Sequence, residues 1–144
     1  MRREDRGVYV LVIDLKTKTN IKVGKLGMTT LSPGTYLYVG RAKRYLNGRL
    51  KRHLRQDKKN FWHIDYLLQH ACLKDIWIKP GFFEECHTAA MIQSACPEAS
   101  CLVSKFGSSD CRCPSHLFYL AEQTRILPQL RSNLKFEKVK KNGH

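Results

Sequence analysis

After a short charged stretch the chain runs Gly7-Val8-Tyr9-Val10-Leu11-Val12-Ile13-Asp14-Leu15, almost without a polar break. A run of apolar and β-branched residues of this length reads as a strand covered on both faces. Alternation along a strand puts Tyr9, Leu11 and Ile13 on one side. Lys16 to Asn20 reads as a polar turn. Ile21 to Leu26 alternates apolar and basic residues, as a half-exposed strand does. Leu31 to Gly34 is a turn by its Pro33-Gly34 pair. Thr35 to Gly40 is then a third strand, with Tyr36 and Tyr38 on one face and Leu37 and Val39 on the other.

The period changes after Gly40. Leu46, Leu50 and Leu54 fall on one stripe of a basic helix, with Arg49 and His53 along its edge and Lys51 and Arg55 turned to solvent. Phe61 to Gln69 reads as a second helix, Leu73 to Lys79 as a strand closed by Pro80-Gly81, and Glu84 to Ser94 as a third helix. Short strands are expected at Cys101 to Val103 and at His116 to Leu120, separated by a polar loop from Gly107 to Ser115. From about Arg131 onward the chain reads as a basic, frayed tail. No repeat or linker divides it, so residues 1–144 are expected to form a single domain. The expected fold class is α/β: a small, mainly antiparallel sheet flanked by helices.

Charge narrows the functional classes. Lys and Arg total 26 against 12 Asp and Glu, a formal net charge of +14. An excess this large points to a polyanionic partner: DNA, RNA or an anionic membrane face. No apolar run reaches the length of a membrane span. The strand-like run from Val8 to Leu15 has no small-residue cleavage site after it, which argues against a secretory signal and for a cytoplasmic protein.

The charge is chemically pointed between Tyr36 and Arg55. A tyrosine-bearing strand ends at Gly40, where the missing side chain would let a ligand approach the backbone. The helix that follows carries Arg49, which can hold a phosphate bidentately. His53, one turn on, can donate to the same phosphate or move a proton. Arg41, Lys43, Arg44 and Arg52 supply further cations for a nucleic-acid backbone.

Gly7-Val8-Tyr9 and Tyr38-Val39-Gly40, followed by Arg49 and His53, together resemble the GIY-YIG nuclease superfamily. Three longer segments, Phe61 to Leu68, Glu85 to Ala89 and Phe106 to Leu117, resemble an archaeal and bacterial branch of that superfamily sometimes fused to endonuclease III, a base-excision repair enzyme. The similarity covers about residues 7 to 120. It implies a metal-dependent endonuclease that hydrolyses DNA phosphodiester bonds, with a link to DNA repair. Tyr9 would activate or position the attacking water, Tyr38 would orient water or phosphate, Arg49 would stabilise the developing charge, and His53 would assist. Glu85, preferred over Glu84, would ligate a single Mg²⁺ or Mn²⁺. The long separation of Tyr9 and Tyr38 implies an extended hairpin through Ile21 to Leu26. Ser108 or Asp110 would stand where the family has an asparagine. The alternative function is a nucleic-acid-binding module, without cleavage, that partners a repair enzyme; RNA is the alternative ligand to DNA.

His63 and Asp65 share the second helix and could support the site from behind, although core packing with Trp62, Tyr66 and Leu67 accounts for them better. Six cysteines are present. Cys86, Cys111, Cys113 and His116 could bind Zn²⁺, but the single residue between Cys111 and Cys113 is fewer than zinc motifs use. Reduced packing thiols or an oxidisable pair fit that spacing better.

Overall fold

A computed structural model describes residues 5–55, 59–60, 62–82, 84–95, 105–107, 115–120 and 124–139. The first strand, β1 (Gly7–Leu15), is central. It pairs antiparallel with β4 (Gly34–Ala42) on one side and β5 (Cys72–Pro80) on the other. Two short strands close the edges: β6 (Leu117–Tyr119) against β4, and β7 (Glu137–Val139) against β5. The sheet order is β6-β4-β1-β5-β7, with every pairing antiparallel. A separate hairpin, β2 (Thr19–Lys22) with β3 (Met28–Leu31), leaves the sheet between β1 and β4.

Both faces of the sheet are buried, which explains the unbroken apolar sequence of β1. On one face Tyr9, Leu11, Ile13, Tyr36 and Tyr38 pack under α1 (Leu46–Leu54) and α2 (His63–Leu68), through Leu46, Leu50, Ile64, Leu67 and Leu68. On the other, Val8, Val10, Val12, Leu37, Val39 and Trp77 meet α3 (Glu85–Ala95) through Ala89 and Ile92, and α4 (Leu127–Asn133) through Leu130. Burying a side chain of this size contributes roughly 1.5–3 kcal/mol. The α/β fold class, the face assignments along β1 and β4, and the leucine stripe of α1 agree with the sequence reading. Among the described residues no helix is long and apolar enough to cross a membrane.

Two expectations are corrected. Ile21 to Leu26 is not a continuous strand: β2 ends at Lys22, and Gly24 to Leu26 form a 3-10 turn. Gly24 (φ 46°) and Gly27 (φ 80°) lie in the left-handed region that glycine enters without strain, so the chain turns where alternation suggested extension. The partner strand β3 is mostly solvent-facing and carries little apolar signal. Finally, the tail expected to fray from Arg131 is ordered through Val139: it completes α4, buries Leu134 and Phe136, and adds β7 to the sheet edge. Pro128 in the first turn of α4 is the local signal for that helix. The strand expected at Cys101 to Val103 lies outside the described residues.

Candidate active site

The register of β1 against β4 sets the site. Tyr9 lies opposite Gly40, and Leu11 opposite Tyr38. Tyr9 and Tyr38 are therefore diagonal neighbours on one face of adjacent strands, close enough for two aromatic rings to share one region. A cleft of about 480 Å³ opens over them. Its floor includes Tyr9, Tyr38 and Gly40; Arg41, Lys43 and Arg44 line it from the β4–α1 connection, Arg49 from α1, Trp62 and His63 from the start of α2, Glu85 from α3, and Gly107 beyond it.

Gly40 has a different role from the one its sequence position suggested. A side-chain carbon there would sit 2.4 Å from the Tyr9 ring. The space a ligand was expected to use is filled by Tyr9 itself, and glycine is required for that ring to lie flat across the strand. Gly107 (φ 70°) does the same for Tyr38, whose ring would be 2.8 Å from an added carbon. The Gly107 amide donates to His63 Nδ1 at 2.9 Å, fastening this glycine to α2.

His53 does not line the cleft. It is buried beneath Tyr9, with Nε2 2.8 Å from the tyrosine hydroxyl. The predicted phosphate donor is thus a partner of the tyrosine, because the last turn of α1 points into the core where Tyr9 crosses it. Arg49, one turn earlier, reaches the cleft; its Nη1 donates to the Arg41 carbonyl and its guanidinium lies 4.6 Å from the centre of the Trp62 ring.

Arg52 was expected to contact nucleic acid and is instead engaged internally. Its two terminal nitrogens donate to the two carboxylate oxygens of Asp65 at 2.8 and 2.9 Å, and one also donates to the Lys59 carbonyl. Asp65 is fully buried and also accepts from the Trp62 amide at 2.8 Å, capping α2. The Arg52 guanidinium sits 4.4 Å from the Trp62 ring centre. Trp62, read from sequence as core, is therefore a cleft residue gripped by two arginines. The signal for it was the pairing of an aromatic with a basic helix, visible only once α2 is folded back onto α1.

Burial pushes the hydroxyls of Tyr9 and Tyr38 well above the ordinary tyrosine range. Arg49 opposes the shift at both, and the nearby Glu85 carboxylate adds to it. Both groups are neutral phenols at neutral pH. Burial lowers the pKa of His63, favouring the neutral ring that accepts from Gly107.

Glu85, in the first turn of α3, is partly exposed to the cleft. One carboxylate oxygen is 3.8 Å from Arg41 Nε and the other 3.8 Å from His116 Nδ1. Among the described residues no three acidic, histidine or cysteine side chains converge. A lone carboxylate facing a cationic cleft suits Mg²⁺ or Mn²⁺, which are commonly held by one or two carboxylates, water and a substrate's own phosphate oxygens. Ser108, Asp110, Cys111 and Cys113 lie outside the described residues.

The chain matches the family model described as "Domain of unknown function DUF123" over residues 8–138. No curated protein and no solved structure matches it.

Proposed function

The chain belongs to the DUF123 family, and we propose that it is a metal-dependent endonuclease of GIY-YIG type, hydrolysing DNA phosphodiester bonds. The observation that carries this reading is convergence. Tyr9, Tyr38, Arg49 and Glu85 stand on β1, β4, α1 and α3, far apart in sequence, and all four face one cleft. The same four residues carry the resemblance to that superfamily. The cleft's other cations, Arg41, Lys43 and Arg44, are suited to draw a phosphate backbone across it.

Each side chain has a chemical task. Arg49 faces the scissile phosphate and offsets charge as it builds on the non-bridging oxygens; its bonds to the Arg41 carbonyl and Trp62 ring hold it ready. A divalent cation held by Glu85 would polarise the phosphate and favour departure of the leaving oxygen. Tyr38 orients water or phosphate from the adjoining strand. Tyr9 receives the proton of the attacking water. A raised hydroxyl pKa makes a free phenolate costly, and His53 removes that cost: as the Tyr9 oxygen takes the water's proton, its own proton passes to Nε2 2.8 Å away. His53 is accordingly a positioning residue that acts through Tyr9.

The experiment is cleavage of plasmid, branched and damaged DNA with Mg²⁺ or Mn²⁺, comparing the natural chain with Arg49→Ala and Glu85→Ala. Loss of cleavage in both variants, with DNA binding retained, is the expected result. Cleavage untouched by either substitution would overturn the assignment. A second reading, a binding module that partners a repair enzyme, is favoured by one feature: Glu85 already lies near two basic side chains, Arg41 and His116. Tight DNA binding without cleavage under either metal would select it.

A further inference from the structure

The β4–α1 connection carries an aromatic ring that packing does not account for. Tyr45 is 69% exposed, the highest value for a large apolar side chain among the described residues. It immediately precedes α1, and its backbone lies in the left-handed region (φ 58°, ψ 43°). A bulky residue enters that region at a cost, whereas glycine or asparagine is at home there. The surrounding hydrogen bonds hold it in place. The Leu46 amide donates to the Asp5 carbonyl at 2.9 Å, the Asn47 amide to the Asp5 carboxylate at 2.7 Å, and the Tyr45 carbonyl accepts from the Arg49 amide at 2.9 Å. The tyrosine side chain takes no part in capping the helix. Strain kept by a frame of this kind is a mark of functional positions, and here it holds a ring in solvent.

The neighbours of that ring are cations. Lys43 and Arg44, the two residues before Tyr45, line the cleft, and Arg49 lines it from the first turn of α1. Their charge would draw a phosphate backbone past the ring. We propose that Tyr45 is a stacking platform for an unpaired nucleobase, so that the cleft selects DNA with an unpaired nucleotide near the cut. This rests on the reading of the cleft as a DNA site. Cations satisfy the phosphates and leave an aromatic face unused. In a continuous duplex each base is covered above and below by its neighbours and has no face to give. A bulged or single-stranded base has one, and stacking it on an exposed tyrosine covers both apolar surfaces without reading hydrogen-bond edges. The platform therefore sorts DNA by structure and not by sequence.

The test is binding without metal, so that cleavage plays no part. Labelled duplexes of one sequence are compared: fully paired, with one bulged nucleotide, and with one bulged abasic site. The natural chain is expected to bind the bulged-base duplex about tenfold more tightly than the other two. Tyr45→Phe, which keeps the ring, preserves that preference. Tyr45→Leu and Tyr45→Asn abolish it, while affinity for the paired duplex stays within about twofold. Asparagine suits the left-handed backbone, so Tyr45→Asn is expected to melt no lower than the natural chain. Arg44→Ala weakens binding to all three duplexes alike. Equal affinity of the natural chain for the bulged-base and abasic duplexes overturns the proposal. So does a preference that survives Tyr45→Asn, or a Tyr45→Asn chain that melts well below the natural one. Cleavage in Mg²⁺ or Mn²⁺ without any such preference sinks the platform alone; a Tyr45-dependent preference without cleavage upholds the platform and sinks the nuclease reading.

Discussion

The hydroxyl of Tyr9 and Nε2 of His53 are 2.8 Å apart in the core, beneath a cleft that only the tyrosine reaches. This contact couples β1 to the last turn of α1, and with the proton on Nδ1 the imidazole offers the tyrosine a built-in proton acceptor at Nε2. Tyr9→Phe is expected to abolish cleavage while DNA affinity stays within a factor of two or so. His53→Ala removes the ring nitrogen 2.8 Å from a buried hydroxyl, costing about 1–3 kcal/mol of stability, and lowers the single-turnover rate by about 10²-fold. His53→Gln, which can offer an acceptor near the Nε2 position, should recover part of the rate. Equal rates for His53→Ala and the natural chain would remove the proton path.

Gly40→Ala tests whether the glycine serves Tyr9 or a ligand. A methyl group there would sit 2.4 Å from the Tyr9 ring, far inside contact distance. The ring must move, because the backbone of β4 is held by its ladder to β1. Overpacking of this kind costs roughly 1–3 kcal/mol. Urea melts should show that loss without DNA present. A substitution that leaves stability intact and reduces only DNA affinity would restore the ligand-approach reading.

The two classes of arginine should separate by measurement. Arg52 holds the buried Asp65 with two bonds, and its removal strands a carboxylate that also caps α2. Arg52→Ala is expected to destabilise the fold by about 3–5 kcal/mol. Arg44→Ala, at the cleft wall, should leave the melting temperature almost unchanged. It should weaken DNA binding and reduce the salt-dependence slope by about one. The reverse pattern, with Arg44 structural and Arg52 electrostatic, would contradict the contacts described here.

These arginines also show what could be read from the chain alone. Arg49 and Arg52 sit three residues apart on the same basic helix, and nothing local distinguishes them. What separates them is Asp65, brought against Arg52 by the fold of α2. The same holds for Gly40, whose meaning depends on its cross-strand neighbour Tyr9, 31 positions earlier. By contrast β1, β4 and the face of α1 were legible because their apolar residues repeat within a few positions. β3 and β7 were not, since strands of four and three residues at an exposed edge carry too little apolar signal to register.

Stability should fall at both ends of the pH range, for opposite reasons. Burial holds Tyr9, Tyr36 and Tyr38 protonated in the folded chain well past their ordinary value of 10.0. Below that pH both folded and unfolded chains keep these protons, and the stabilisation is complete. Above it the unfolded chain releases protons that the folded chain retains, so stability declines as pH rises. Tyr38→Phe should flatten that decline by removing one of the three groups. On the acid side His63 has a pKa lowered from 6.5. The unfolded chain therefore takes up a proton first as pH falls below that value, and protonation of Nδ1 would cost the bond from the Gly107 amide. His63→Asn, with an acceptor oxygen placed near Nδ1 and no titration, should weaken the acid-side slope while preserving stability at neutral pH. Thermal melts from pH 5 to 11 check both limbs. A midpoint that stays level above pH 10 would mean the tyrosines are not held in the buried, protonated state that their packing in the core requires.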